Sequence, residues 1–121
     1  MCKNDSKALM IYIHIPFCVR KCLYCDFLSA PADEQTKKAY MEALCREIHE
    51  KSVHYKDYKV SSIFFGGGTP TAVEADWIRQ VMEILRKDYH ILEDAEITME
   101  MNPGTVEEKD VTVYLHAGIN R

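Results

Sequence analysis

Three cysteines lie within eight residues near the start of the sequence, at Cys18, Cys22 and Cys25. In a chain without a secretory signal, thiols clustered in this way are metal ligands or catalytic groups more often than disulfides. Structural zinc sites and ordinary iron–sulfur clusters take four protein ligands. Three thiolates and one vacant position are therefore the arrangement expected where the fourth iron of a cluster binds a substrate or cofactor.

The two other cysteines and two neighbouring side chains leave an alternative open. Cys45 falls within a predicted helix, where a small buried hydrophobic residue is the ordinary interpretation, and Cys2 lies in a terminus expected to fray. A zinc site completed by His14 or Asp26 is the competing interpretation of the same cluster. The identity of the metal separates the two.

A run of three glycines, Gly66, Gly67 and Gly68, comes directly after a predicted strand and is followed by Thr69. Consecutive glycines let the backbone approach a ligand closely and leave N–H and C=O groups free to bind it. The run lacks the lysine of a Walker loop and the spacing of a dinucleotide-binding fingerprint. Alone it indicates a tight turn, whereas beside the cysteine cluster it indicates a cofactor loop.

Glu100 lies at the end of a third predicted strand. Because side chains alternate between the two faces of a strand, Thr98 and Glu100 should share one side, and Met99 and Met101 the other. Most glutamates at such positions are simply solvated. An inward-facing Glu100 would instead place a carboxylate for a hydroxyl or ammonium group.

Three strands and three helices must position these residues. Apolar runs predict strands at 8–15, 60–65 and 95–101, and apolar residues at helical spacing predict helices at about 33–52, 74–89 and 105–117, the last capped by Thr105 and followed by Gly118. The predicted apolar faces of the first two helices are Ala39, Tyr40, Ala43, Leu44 and Ile48, and Trp77, Ile78, Val81, Met82 and Leu85. Alternating strands and helices imply a parallel sheet with right-handed crossovers, whose chemistry lies at the carboxyl ends of the strands. The cysteines, the glycines and Glu100 should therefore converge on one edge.

Length and composition limit the class of protein. A chain of 121 residues, 47% hydrophobic and 28% charged with net charge −4, is typical of one globular domain without a broad nucleic-acid-binding face. Neither a membrane span nor a signal-peptide core is apparent, so we expect a cytoplasmic protein. A closed (β/α) barrel needs about 250 residues. We therefore expect residues 1–121 to be the N-terminal part of a larger domain, with 119–121 leading into a fourth strand.

Three motifs in order carry a resemblance: YIHIPFCVRKCLYCDF at 12–27, FFGGGTPT at 64–71 and EMNPGT at 100–105. Together they resemble radical S-adenosylmethionine (SAM) enzymes, and most closely the subgroup of oxygen-independent coproporphyrinogen III oxidases and their HemW-type haem chaperone relatives. The likeness runs from about residue 8 to 121. It implies an α/β fold, the N-terminal part of a partial (β/α) barrel, with three βα units and a parallel sheet.

The resemblance also implies cofactors and the residues that bind them. Cys18, Cys22 and Cys25 would hold a 4Fe-4S cluster whose fourth iron takes the amino and carboxylate groups of SAM. In the family, the reduced cluster cleaves SAM to methionine and a 5′-deoxyadenosyl radical, which abstracts a hydrogen atom from the substrate. His14 and Arg20 are expected to be structural or surface residues. The implied SAM contacts, of which the two tyrosines have ordinary packing as a competing interpretation, are Tyr12, Tyr24, Gly67, Gly68, Thr69 and Glu100.

One position departs from the oxidase pattern, because Phe27 stands where the oxidases carry a further cysteine. The CDF ending resembles the HemW-type branch, which implies haem binding and transfer rather than decarboxylation of a porphyrinogen. The implied partners are haem or porphyrinogen and an electron donor such as flavodoxin or ferredoxin. The competing functions are a non-catalytic carrier of a cluster or of haem and a zinc-stabilised structural domain. We expect this chain alone to be inactive.

Overall fold

The computed structural model describes residues 7–17, 34–68, 70, 73–101 and 107–121. The elements within these ranges alternate as predicted. They are β1 (Lys7–Ile15), α1 (Glu34–Lys51), a 3₁₀ helix (Ser52–Tyr55), β2 (Tyr58–Gly67), α2 (Ala75–Asp88), β3 (His90–Met99) and α3 (Glu108–Ala117). None of the helices in this part of the chain is long and apolar enough to cross a lipid bilayer.

The three strands form one parallel sheet in the order β1-β2-β3. Tyr12 of β1 is paired with Phe64 of β2, which is paired in turn with Thr98 of β3. Because the strands are parallel and in register, their carboxyl ends meet at one edge. This confirms the predicted sheet, and it brings the glycine run beside Glu100.

The core occupies one face of the sheet, where alternate strand residues meet the helices. The buried strand side chains are Ile13, Ile15, Val60, Ile63, Phe65, Ala95, Ile97 and Met99, and α2 contributes Ile78, Val81, Met82 and Leu85. Burial of each such side chain stabilises the fold by about 1.5–3 kcal/mol. On the opposite face Met10 and Tyr12 are 75% and 58% exposed, and Phe64 is also exposed. The described helices therefore cover one face, and the other is open.

The residues that helix α1 buries differ in part from those predicted for its apolar face. Met41 is fully buried, whereas Ala39 and Ala43, which were predicted to face the core, are exposed. Ile48 is buried as predicted, and Leu44 packs against the core. Positions 41, 44 and 48 follow the spacing of a single helix face, and the longer side chains on that face fill the core better than alanine.

The predicted bounds of two strands and one helix also change. The prediction ended β2 before the glycines, but the strand continues through Gly67. β3 begins five residues earlier than predicted, at His90. Helix α3 has Glu107 as its N-cap, so the prediction of a cap at Thr105, itself outside the described residues, was wrong. Gly118 follows α3 in a left-handed conformation with φ 110°, as expected of a glycine at a helix end.

The residues after α3 lie along the outer edge of β3. The backbone N–H of Asn120 donates to the Ile97 carbonyl at 2.8 Å, and the Ile97 N–H donates to Asn120 Oδ1 at 2.9 Å. Asn120 Nδ2 donates to the Ala95 carbonyl at 3.0 Å. Arg121 forms an ion pair with Glu96 at 2.7 Å. These bonds hold residues 120 and 121 against the free edge of β3, but the described sheet has three strands, so a fourth strand stays a prediction.

Candidate functional site

Tyr12 of β1 lies on the open face of the sheet, where its ring contacts the ring of Phe64. Its ring is stacked on that of Phe64, with centroids 5.8 Å apart and 17° between the ring planes. Its hydroxyl lies 3.4 Å from Nδ1 of His14, which is exposed, as expected of a surface residue. The two stacked rings give the open face a flat apolar patch near its carboxyl edge.

Three side chains from three strands converge over Gly66. A Cβ at this position would lie 2.7 Å from Phe64 Cε1, 2.9 Å from the Tyr12 hydroxyl and 3.0 Å from Glu100 Oε1. Real Cβ atoms do not approach other atoms so closely, because carbon contacts are optimal at about 3.5–4.0 Å. The absence of a side chain at Gly66 is therefore what lets a phenol, an aromatic ring and a carboxylate meet at one point.

Glu100 reaches this point because it directly follows β3. Its backbone N–H donates to the Phe65 carbonyl at 3.0 Å, which fixes the start of the turn against β2. Met99, one residue before, is buried on the helical face. Glu100 therefore shares the face of Tyr12, in agreement with the predicted alternation, and Met101 is exposed beyond the end of the strand.

Gly67 and Gly68 bring the end of β2 close to the end of β1. Gly67 has φ 117°, in the left-handed region that favours glycine, and a Cβ there would lie 2.7 Å from the Ile15 carbonyl oxygen. The Gly68 N–H donates to that same oxygen at 3.0 Å, and a Cβ at Gly68 would lie 2.6 Å from the Phe17 carbonyl oxygen. Backbone packing thus explains both glycines, and contact between them and a ligand stays a prediction.

The other predicted site residues lie outside the described ones. These are Cys18, Cys22, Cys25, Tyr24 and Thr69. Within the described ranges, no group of three or more histidine, cysteine, aspartate or glutamate side chains is arranged to hold a metal ion. The structure therefore describes the strand side of the candidate site, and the metal ligands stay predictions from sequence.

Cys45 is half-buried on α1 and packs against the core, in line with its expected structural role. Burial, and then the nearby Glu42 carboxylate, raise the pKa of its thiol. Since the thiolate is the form that binds metals and reacts, a raised pKa keeps Cys45 in the inert form at neutral pH.

Phe64 and Gly66 were not among the predicted ligand contacts. Their place in the site depends on the pairing of β1 with β2, in which Tyr12 stands opposite Phe64 and His14 opposite Gly66. The signal that points to them is the alternation of β2, since Phe64 and Gly66 lie two residues apart on one face. That signal becomes specific only when the register between the strands is known.

Known proteins resemble the chain in sequence and in fold. It is 40% identical over 114 residues to the heme chaperone HemW of Escherichia coli K12, covering 93% of this chain and 30% of that protein. It is 38% identical to the oxygen-independent coproporphyrinogen III oxidase of Salmonella typhimurium, covering 98% of this chain and 26% of the relative. A solved structure of coproporphyrinogen III oxidase (HemN) from Escherichia coli superimposes with a TM-score of 0.85 at 30% identity, covering 96% of this chain and 27% of that one.

These matches agree in how much of each protein they cover. The chain spans about a third or less of the length of the relatives, and nearly all of its own residues are aligned. The Radical SAM superfamily profile matches residues 12–121, a range that contains all three sequence motifs. With the profile, the relatives and the fold in agreement, the chain belongs to the radical SAM superfamily.

Proposed function

We propose that residues 1–121 form the N-terminal part of a radical SAM core domain that binds a 4Fe-4S cluster and SAM, in a protein of haem or porphyrin metabolism. The observation that carries this proposal is the convergence of Tyr12, Phe64 and Glu100 over Gly66 at the carboxyl edge of the sheet. Cys18 is the next residue in the sequence after Phe17, which is described just beyond β1, and this supports a single site at the carboxyl edge.

The radical SAM family implies a 4Fe-4S cluster and SAM in general, and the residues of this chain fit both groups. Cys18, Cys22 and Cys25 supply three thiolates, the ligands that iron–sulfur clusters take, and leave one iron without a protein ligand. The Glu100 carboxylate and the Tyr12 hydroxyl supply an anion and a hydrogen-bonding group, which meet over Gly66 because that residue has no side chain. With both groups bound, the available chemistry is the one-electron reductive cleavage of SAM.

The chain's own residues then have distinct tasks in binding. The Glu100 carboxylate accepts hydrogen bonds from the ammonium or hydroxyl groups of SAM, which are stronger than neutral ones because the acceptor is charged. The rings of Tyr12 and Phe64 cover one side of the ligand and exclude water from it. Backbone groups of Gly67, Gly68 and Thr69 would supply further contacts, apart from the Gly68 N–H, which donates to the Ile15 carbonyl. Tyr24 would supply a contact between the last two cysteines.

The HemW-like branch is the first candidate within the family, because the motif ends in CDF with Phe27 in place of the oxidase-type cysteine. We propose haem as its ligand, a flavodoxin or ferredoxin as electron donor and the cytoplasm as its location. The oxidase-like branch is the second candidate, supported by the 38% identity to the Salmonella oxidase and by the HemN fold. The alternative that involves no enzymatic activity is a carrier of a cluster or of haem.

Anaerobic reconstitution with iron and sulfide tests the core of the proposal. Electron paramagnetic resonance of the reduced protein, recorded with and without SAM, should show a 4Fe-4S signal that changes when SAM is added. Cys18→Ala should lose this signal. Cys45→Ala is the matched control and should keep it, because Cys45 lies on α1 within the core packing. Zinc without iron in the purified protein would contradict the proposal and favour the structural zinc domain.

A second experiment distinguishes the branches. Haem titration of the natural full-length protein should reach saturation near one haem per chain if the HemW-like proposal is correct. Conversion of coproporphyrinogen III under reducing conditions, without saturable haem binding, would favour the oxidase-like branch instead. Haem binding without SAM cleavage would favour the carrier.

A further inference from the structure

Tyr40 of α1 contacts the end of β1 from the side opposite to β2. Its hydroxyl donates a hydrogen bond to the His14 carbonyl, 26 residues earlier in the chain. Its ring packs edge-on against Phe17, with centroids 5.3 Å apart and 80° between the planes. We infer that Tyr40 is a positioning residue, which fixes the carboxyl end of β1 and thereby the site residues that this end carries. This inference rests on the proposed function.

The two last carbonyl groups of β1 are held from opposite sides. Successive carbonyls along a strand point in opposite directions, and the Ile15 carbonyl accepts from the Gly68 N–H of the β2 side at 3.0 Å. The His14 carbonyl therefore points away from β2, toward the free edge of the sheet. Backbone carbonyls strongly favour a hydrogen-bonded partner. Tyr40 supplies the partner that a neighbouring strand would otherwise provide at this edge.

The same two elements also enclose Phe17, the residue directly before Cys18. Phe17 is 6% exposed, with the Tyr40 ring against its side chain. Its carbonyl oxygen lies so near Gly68 that a Cβ there would come within 2.6 Å. The segment from His14 to Phe17 is thus fixed between α1 and the glycine run, and the chain enters the cysteine motif from a defined position.

A ligand site needs such support, because its groups must be held within about 0.5 Å of the productive geometry. Tyr12 is two residues before His14 on the same strand, and its hydroxyl lies 3.4 Å from the His14 ring. Burial, followed by the Glu47 carboxylate and Tyr12, raises the pKa of Tyr40, so its hydroxyl stays protonated and able to donate at neutral pH. Loss of that hydroxyl should loosen β1 on the side that faces the candidate site.

Tyr40→Phe tests the inference, and Tyr89→Phe is its matched control. Tyr89 also donates its hydroxyl to a backbone carbonyl, that of Ile48 at 3.0 Å, but it lies just before β3 at the amino end of the sheet. Hydrogen exchange of the Gly68 amide, measured in the metal-free protein, should accelerate about fivefold in Tyr40→Phe, the change expected for loss of one hydrogen bond of ordinary strength. SAM affinity of the reconstituted protein should fall about fivefold to tenfold in the same variant. Tyr89→Phe should leave both quantities unchanged.

The outcomes separate this inference from the proposed function. If the unaltered protein takes up no cluster or binds no SAM, the proposed function fails, and the inference fails with it. If the unaltered protein binds both, and Tyr40→Phe matches Tyr89→Phe in Gly68 exchange and SAM affinity, the inference alone is wrong. Urea unfolding of Tyr40→Phe and Tyr89→Phe provides the third comparison. If the two variants lose the same stability but only Tyr40→Phe loses SAM affinity, Tyr40 positions the site and does not merely stabilise the fold.

Discussion

Replacing Gly66 by alanine should weaken ligand binding while leaving the fold almost unchanged. The added Cβ would meet the tips of three side chains, at 2.7 Å from Phe64, 2.9 Å from Tyr12 and 3.0 Å from Glu100. Each tip belongs to a side chain that can rotate, and none belongs to the backbone. Gly66 itself has no left-handed φ, so an alanine adopts its backbone conformation without strain.

The size of both effects follows from these distances. Ordinary carbon contacts begin near 3.5 Å, so the three tips must retreat by roughly 0.5–0.8 Å. A retreat of this size turns each side chain by roughly 10°, well short of the ~30° that costs about 0.5–1.5 kcal/mol, so the three movements together cost about 1 kcal/mol or less. Replacing glycine by alanine restores about 0.4–1 kcal/mol through the unfolded state. The free energy of unfolding should therefore change by less than about 1 kcal/mol. Displacement of this size in a binding site lowers affinity by about tenfold to a hundredfold, or roughly 1.4–2.7 kcal/mol.

Two assays measure the two halves of this prediction. Urea unfolding of the metal-free chain gives the stability, and calorimetric titration of the reconstituted protein gives the SAM affinity. Gly118→Ala is the control, because φ there is 110° and a Cβ would lie 2.0 Å from Arg86 Nη2. That variant should lose stability and keep SAM affinity. SAM affinity in Gly66→Ala equal to that of the unaltered protein would refute the placement of the ligand above this glycine.

Three other changes test the packing around the site and the pH dependence of stability. In urea unfolding, Gly68→Ala should lower the free energy of unfolding by about 1–3 kcal/mol, because the added Cβ meets the Phe17 backbone, which cannot rotate away. A loss below about 0.5 kcal/mol would contradict this. Burial, followed by Asp110, raises the pKa of Tyr114 from 10.0 to about 12, so the unfolded chain releases this proton first and stability falls as pH rises through that interval. Tyr114→Phe should reduce this alkaline loss by about 2 kcal/mol in unfolding measurements from pH 9 to 12, and an unchanged slope would be the contrary result. Asn120→Ala removes two side-chain hydrogen bonds to β3 and should lower the free energy of unfolding in urea by about 1–3 kcal/mol, and a negligible loss would contradict this.

Sequence patterns predicted the parallel sheet and the face of α2, because both depend on simple periods. Four of the five residues predicted for that face, Ile78, Val81, Met82 and Leu85, are buried. Helix α1 was harder, because Ala39 and Ala43 follow the helical period and yet are exposed, since burial of so small a side chain contributes little stability. β3 was harder still. Val60 is paired with Ile91 but Ser62 with Glu96, so an irregularity interrupts the alternation that identifies a strand.

The candidate site was predicted in the same uneven way. The rule that parallel strands end at one edge predicted that the glycines and Glu100 lie together, and the structure places Glu100 beside Gly66. Tyr12, which is also beside Gly66, was named only through the family resemblance. The contribution of Phe64 depends on the register between β1 and β2, which neither strand encodes by itself. Tyr40 reaches His14 across the edge of the sheet, and no spacing along the chain signals such a contact.

The open face of the sheet has a consequence for how such a protein can evolve. Along β1, Ile13 and Ile15 pack against the helices, whereas Tyr12 and His14 between them face the other way. A change at Ile13 must be accommodated by a close-packed interior, but a change at Tyr12 affects only the open face and its neighbours there, such as Phe64. New ligands can therefore be acquired through every second residue of each strand, with the intervening residues inherited unchanged. One scaffold can in this way serve a succession of chemistries without folding anew.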